Sequence, residues 1–234
     1  MNIMKNKISV ILYSRISFWG DIYRSFLRYI DGETGRRLRY RYYKKRLKHL
    51  GKNVIIDTGV FITGAEYISI GDNTHIDKNC ILVGAPSDLD LSYRILVELP
   101  NEDFKKEKGS ITIGKECHIS QNVMIYGYGG VEISDYVALS ADTKVYSLTS
   151  LPFNPYDRKE IAKVTSFSGR SLTFLGAVVI GNNSWLGIGC IVQPCVTIGA
   201  NTFVESYSVI SNPLEENIIA KGNPAVAIRK RFKI

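Results

Sequence analysis

The stretch I-G-N-N-S-W-L-G-I-G-C-I-V-Q-P-C-V-T-I-G, from Ile180 to Gly199, returns an aliphatic residue every six positions, at Ile180, Leu186, Val192 and Ile198. A helix repeats its apolar face every 3.6 residues and an ordinary strand every 2, so neither produces this period. Working outward, hexads that start with Ile or Leu also begin at Ile56, Ile70, Ile76, Ile113, Ile119, Ile133 and Leu139, and one starting with Val begins at Val204. Their fifth residue is small or β-branched: Val60, Thr74, Cys80, Cys117, Val123, Val137, Thr143, Ser184, Cys190, Thr202 and Ser208. The second residue is usually Gly, Asp or Ser. Less regular third hexads start at Ile62, Leu82, Ile125, Val145, Val192 and Ile210, so that three hexads close one turn of about eighteen residues.

This pattern predicts short strands that point the first residue of each hexad into a narrow triangular interior, with the small fifth residue near the corner where the chain turns. Stacked turns then pair their backbones in parallel and share one continuous core. The fold class is mainly β: a parallel β-helix of hexapeptide repeats with an N-terminal α-helical segment. Three of the four cysteines (Cys80, Cys117 and Cys190) fall at the small fifth position, where Cys acts as a small hydrophobe. Cys195 is the fourth. No C-x-x-C pair occurs, so neither a zinc site nor a disulfide framework is indicated, and a reducing cytoplasm fits best.

The 234 residues carry 30 Lys and Arg against 22 Asp and Glu, a net charge of +8. Its distribution is uneven. Residues 1–50 hold 13 basic and 3 acidic side chains, net +10, which leaves residues 51–234 at −2. Apolar residues from Leu12 through Ile16, Trp19, Tyr23 and Phe26 to Ile30 alternate by four and three, the spacing of an amphipathic helix. Asp31-Gly-Glu-Thr-Gly35 reads as its break, and Arg36 to Leu50 as a second, basic helix ending at Gly51. The helices either pack on the next domain with cations facing water, or rest on anionic lipid or a lipid-linked substrate as a peripheral membrane contact. The apolar run Ile8 to Leu12 is too short to span a bilayer and has no cleavage site after it, so neither export nor a transmembrane helix is expected. No aromatic and basic sheet face or zinc module accompanies the charge, which argues against nucleic acid as partner. The domain reading is a basic helical segment over 1–51, a β-helix over 52–214 and a basic C-terminal tail over 215–234.

Two stretches interrupt the repeat, 83–110 and 151–177. The first includes Asp88, Asp90, Tyr93 and Arg94, and the second Tyr156, Asp157, Arg158 and Arg170. Long loops on a rigid solenoid are frequent sites of function.

Together with I-G-K-E-C-H-I-S-Q-N-V (Ile113 to Val123) and K-G-N-P-A-V-A-I-R-K-R-F (Lys221 to Phe232), the Ile180–Gly199 coil resembles the hexapeptide-repeat acyltransferases of left-handed β-helix fold, above all bacterial sugar O-acetyltransferases of polysaccharide biosynthesis. The resemblance implies a homotrimer with an active site in each cleft between neighbours and acetyl-CoA as co-substrate. By position it matches Trp185 to the Trp lining the cleft near the thioester, Ser206 and Ser211 to pantetheine contacts, and Lys221 and Arg229 to the region around the nucleotide phosphates. Residues 221–234 hold five cations and no acid, which suits a polyanionic ligand. Val226 stands where the family often has a basic residue.

Transfer to a sugar hydroxyl needs a base for the hydroxyl proton. In V-Y-S-L-T-S-L-P (Val145 to Pro152), Ser150 and Leu151 stand where the family generally places its His. His49 lies in the basic segment. His75 and His118 each follow the small residue of a first hexad, so if 83–110 is an excursion between consecutive coils they stack in one column, followed by Ala138, Trp185 and Phe203. The candidate catalytic residues are therefore His118, His75 and Ser150. The expected activity is acetyl-CoA-dependent O-acetylation of a bacterial surface saccharide or its nucleotide- or lipid-linked precursor, in the cytoplasm. An amino-sugar acceptor, whose amine needs less help to lose a proton, and a non-catalytic trimeric scaffold are the alternatives.

Overall fold

A computed structural model describes residues 20, 22–86, 95–152 and 171–233. Three parallel sheets form the faces of a triangular prism. The first face stacks His49–Leu50, Ile68–Ile70, Ile111–Ile113, Val131–Ile133, Val178–Ile180 and Thr197–Ile198. The second stacks Ile55–Ile56, His75–Ile76, His118–Ile119, Ala138–Leu139, Trp185–Leu186, Phe203–Val204 and Ile218–Gly222, and Ala225–Lys230 closes its upper edge. The third runs from Phe61–Thr63 through Ile81–Val83, Met124–Tyr126, Lys144–Tyr146 and Ile191–Val192 to Val209–Ile210.

The hexad register is the register of this prism. No hexad-initial residue predicted from sequence is more than 6% exposed, and no fifth residue more than 2%. Four of the five polar fifth residues bury their hydroxyls by bonding the turns of the next coil, as Thr74 Oγ1 does to Gly114 O at 2.8 Å and Thr202 Oγ1 to Glu215 O at 2.8 Å. The corners turn through left-handed residues, among them Asn73 (φ 57°), Asn122 (φ 60°) and Asn183 (φ 57°), whose amides bond the equivalent side chain one coil on. Second-position glycines follow from stacking: a Cβ on Gly71 would lie 2.6 Å from Gly114 C, and one on Gly181 2.6 Å from Ala200 N.

Both ends of the prism are covered, and here the structure departs from the sequence reading. Residues 22–29 are helical, and the second helix spans Gly32–Lys44 rather than Arg36 to Leu50. Asp31 caps it, and Gly35 lies inside it because a Cβ there would sit 1.9 Å from Ile30 O; the glycine marks a close approach, not a break. His49–Leu50 is already the first strand, so Gly51 ends no helix. The helix cations close the lower edge of the prism, whose backbone carbonyls have no coil beneath them. Buried Arg39 donates through Nε to Ile56 O (2.8 Å) and through NH1 to Leu27 O (3.1 Å) and Ile30 O (2.6 Å), while Lys44 reaches Leu50 O and Tyr40 OH reaches Gly51 O. At the upper end, 215–234 is not a plain tail: Ile218–Gly222 and Ala225–Lys230 form an antiparallel hairpin that continues the second face.

The two interruptions meet. Ile95–Leu99 runs parallel to Ser171–Gly176, which pairs antiparallel with Leu148–Pro152, so the expected loops contribute to a small three-stranded sheet beside the third face. Ala85 N bonds Gly109 O at 2.9 Å and closes the neck of the first excursion. Asp88, Asp90, Tyr93, Arg94, Tyr156, Asp157, Arg158 and Arg170 lie outside the described residues, as do residues 1–19. No helix among the described residues is long and apolar enough to cross a membrane.

Candidate active site

The neck at Ala85 and Gly109 places His75 and His118 on consecutive coils, in register with Ile55 below and Ala138, Trp185 and Phe203 above. Residues i and i+2 of a strand share a face, so each inward isoleucine is flanked by two outward groups. Ile76 thus presents His75 and Asp77, and Ile56 presents Ile55 and Asp57. The result is a continuous polar line. Arg36 donates through Nε to Asp57 Oδ1 (2.6 Å) and through NH2 to Asp57 Oδ2 (3.2 Å). His75 Nε2 stands 3.1 Å from both Asp57 Oδ2 and Asp77 Oδ1, and His118 Nε2 stands 3.0 Å from Asp77 Oδ2. The two imidazoles stack with centroids 5.6 Å apart.

The carboxylates are the more buried members, 8% exposed for the Asp57 side chain and 17% for Asp77, against 33% for His75 and 54% for His118. Burial pushes the Asp57 carboxyl up, but the hydrogen bonds from Arg36 and His75 outweigh it and hold the group below the ordinary carboxylate value. Asp57 is therefore a fixed anion that orients His75. Asp77, accepting from His118 Nε2–H, selects the tautomer in which His118 Nδ1 carries the free lone pair. That atom, on the most exposed member of the line, can take a proton from a bound substrate. The ligand atoms of His75, Asp77 and His118 also lie within 4.8 Å of one another, a donor set a divalent transition ion could occupy.

The other residues singled out from sequence are distributed over the prism. Trp185 stands in the histidine column, 48% exposed, donating Nε1–H to Ser140 Oγ at 2.8 Å and meeting Phe203 edge-on at 5.6 Å. Ser206 sits at the corner one coil above and accepts from Ile188 N at 3.2 Å. Ser211 is at the far end of the third face, in a cleft of about 460 Å³ between the small sheet (Leu99, Phe174) and the turn at Asn223 and Pro224. Lys221 and Arg229 are exposed on the two strands of the terminal hairpin. Ser150 belongs to the small sheet, with Oγ 2.9 Å from Thr173 Oγ1, on a different sheet from the histidines. Burial pushes the thiol of Cys80 up to about 12 and that of Cys117 up to about 11, which makes them packing groups rather than nucleophiles. Arg36, Asp57 and Asp77 were not anticipated; the I-D pairs at 56–57 and 76–77, read in the hexad register, carried the signal.

The family model "Bacterial transferase hexapeptide (six repeats)" matches residues 177–212. The putative colanic acid biosynthesis acetyltransferase WcaF of Escherichia coli K12 is 31% identical over 127 residues, 52% of this chain and 70% of its own length. The chain belongs to the hexapeptide-repeat acyltransferases. It is a left-handed β-helix and an acyltransferase, and the parallel faces described above are the coils of that family. A longer match, 28% identical over 191 residues and covering 80% of this chain and 83% of the relative, is to the dTDP-4-amino-4,6-dideoxy-D-glucose acyltransferase of Escherichia coli. A crystal structure of a variant of AntD, an N-acyltransferase from Bacillus cereus, in complex with dTDP and coenzyme A superposes with a TM-score of 0.62 at 25% identity, covering 82% of this chain and 89% of AntD.

Proposed function

We propose that the protein transfers the acetyl group of acetyl-CoA to a hydroxyl of a sugar in a bacterial surface polysaccharide, such as O-antigen or capsule, or in its nucleotide- or lipid-linked precursor. The observation that carries this reading is the His118–Asp77 contact, an oriented base on an exposed face in the column of Trp185. A hydroxyl is too weak an acid to attack a thioester unaided at neutral pH, and an oriented imidazole supplies what it lacks. His118 Nδ1 takes the hydroxyl proton as the oxygen attacks the thioester carbonyl. The tetrahedral intermediate then expels the coenzyme A thiolate, which takes the proton back from His118, leaving an ester and a free thiol.

Trp185 and Ser206 fit the thioester and pantetheine ends of coenzyme A along one corner, Ser211 borders the neighbouring cleft, and Lys221 and Arg229 offer cations to its phosphates. A homotrimer is supported by the apolar corner formed by Trp185, Ile188 and Tyr207, which are 48%, 46% and 76% exposed on adjacent coils. A cytoplasmic enzyme would meet acetyl-CoA directly, and the basic N-terminal segment would suit peripheral contact with the membrane where lipid-linked precursors reside. Replacing His118 with Asn should abolish turnover while calorimetry still shows acetyl-CoA binding; undiminished turnover would remove His118 from the mechanism.

A second reading, N-acylation of a nucleotide-linked amino sugar, is favoured by the relatives that match along most of their length, both named as acyltransferases of amino sugars or as N-acyltransferases. An amine acceptor requires positioning more than a base. Thiol release with amino and hydroxy forms of one nucleotide sugar separates the two.

A further inference from the structure

Directly below the histidine column, the first coil and the Gly32–Lys44 helix enclose a cleft of about 590 Å³. Ile55 forms part of its wall and is the register partner of His75. Four cations line it, Arg36, Arg37, Arg41 and Lys52, against the single carboxylate of Glu33. Arg36 is held by Asp57 and Arg37 by Glu33 at 2.9 Å, whereas Arg41 and Lys52 form no ion pair with a described residue. The cleft is thus a basic recess whose nearest wall joins the Arg36–Asp57–His75 line.

We propose that this recess is an anion subsite of the acceptor, built by the helical cap, and that it takes the diphosphate of a glycosyl diphosphate while the sugar extends up the column to His118. The proposal rests on the acyl-acceptor reading of His118 given above. Ile55 and His118 are two coils apart, about 10 Å at the usual strand spacing. A pyranose ring alone is shorter than this span, and the ring together with its diphosphate matches it. Two cations with no ion-pair partner among the described residues, and two guanidiniums beside them, suit a diphosphate better than a neutral glycan or a single carboxylate. Its volume falls within the range of small-molecule sites. The diphosphate could come from a nucleotide or from a polyprenyl carrier, since both present the same group.

The test is calorimetric titration of the full chain with inorganic pyrophosphate, together with kinetics on a glycosyl diphosphate and on the matching neutral methyl glycoside. Arg41→Ala and Lys52→Ala alter exposed side chains, so both variants should fold. Each is expected to weaken pyrophosphate binding about tenfold and to lower the charged-to-neutral ratio of kcat/KM by a similar factor. Absence of pyrophosphate binding, or binding and a ratio unchanged in the double variant, overturns the subsite. If the neutral glycoside is still acetylated in a His118-dependent way, the reading of the active site stands without it. Conversely, pyrophosphate binding lost in the double variant, with no acyl transfer to any sugar, keeps the subsite and removes that reading. Tighter binding of a nucleoside diphosphate than of pyrophosphate assigns a nucleotide as the acceptor's carrier; tighter binding of a short-chain prenyl diphosphate assigns a lipid one.

Discussion

Replacing Asp77 with Asn changes one atom of the line and tests whether Asp77 works through His118. In the wild type, the carboxylate accepts from His118 Nε2–H at 3.0 Å and leaves Nδ1 as the free base. An amide in the same place can turn its NH2 toward Nε2, which favours the opposite tautomer and puts the proton on Nδ1, where the base must be bare. General-base assistance contributes roughly 10²–10⁴ in rate, and an oriented carboxylate supports a part of that. His118 is half exposed and keeps some freedom to turn, so the expected loss lies at the low end, about 10²-fold in kcat, or about 2.7 kcal/mol of transition-state stabilisation. The KM for acetyl-CoA should stay near the wild-type value, because Asp77 lies three coils below Trp185 along the register. Steady-state thiol release with a hydroxyl acceptor measures both. The double variant with His118→Asn should be no slower than His118→Asn alone, because both changes remove one function. A kcat within a factor of about three of wild type, or losses that multiply in the double variant, would refute the dyad.

Other outcomes follow from the same geometry. Arg39→Met should destabilise the chain by about 2–4 kcal/mol in denaturant unfolding, since it strips two buried carbonyls and one part-buried carbonyl of their donor. Gly35→Ala should also destabilise, despite the better helix propensity of Ala, because its methyl would collide with Ile30 O. The Asp57 carboxyl is held below the usual carboxylate value, and that of Asp31 is lowered to about 2 by bonds from Thr58, Gly32 and Lys78. Both contribute stability that is complete above about pH 4 and is lost as pH falls through the lowered folded-state values. Asp57→Asn should therefore flatten the acid limb of a stability profile and lower the plateau at neutral pH. Zinc should inhibit by tying together His75, Asp77 and His118, and EDTA should restore activity. His75→Asn should raise the zinc concentration needed for inhibition by more than it lowers kcat.

The prism was legible because one constraint repeats. Each coil must send an aliphatic side chain into a narrow interior and a small one into the corner, and a period of six has no other simple origin. The stacking of His75 on His118, and their column with Trp185, followed from counting hexads across the 83–110 excursion. The ends were less legible, because there the pattern stops and local signals compete with long-range contacts. Gly35 looked like a helix breaker and is a helix residue pressed against Ile30 O. Leu50 looked like the last apolar residue of a helix and is the first strand's inward side chain. The hairpin at 218–230 lies outside the hexad period and depends on pairing with Phe203–Val204. Arg36 could not be tied to Asp57 from sequence, since 21 residues and an unknown helix orientation separate them.

The basic charge of the first fifty residues takes on a physical meaning in the structure. Arg39 and Lys44 satisfy carbonyls at the open edge of the prism, Arg36 fixes Asp57, and Arg41 and Lys52 face the recess beneath the histidines. The cap is thus both an end-plug and a wall of the candidate acceptor site.

The central claim is acetyl transfer from acetyl-CoA to a sugar hydroxyl. Its most direct test is thiol release by the wild-type chain on a nucleotide sugar offered in matched hydroxy and amino forms, with the product then treated with mild hydroxylamine. The account predicts release with the hydroxy form, dependent on His118, and a product whose acetyl group hydroxylamine removes as an ester. Release with the amino form alone, giving a hydroxylamine-resistant amide, would contradict it.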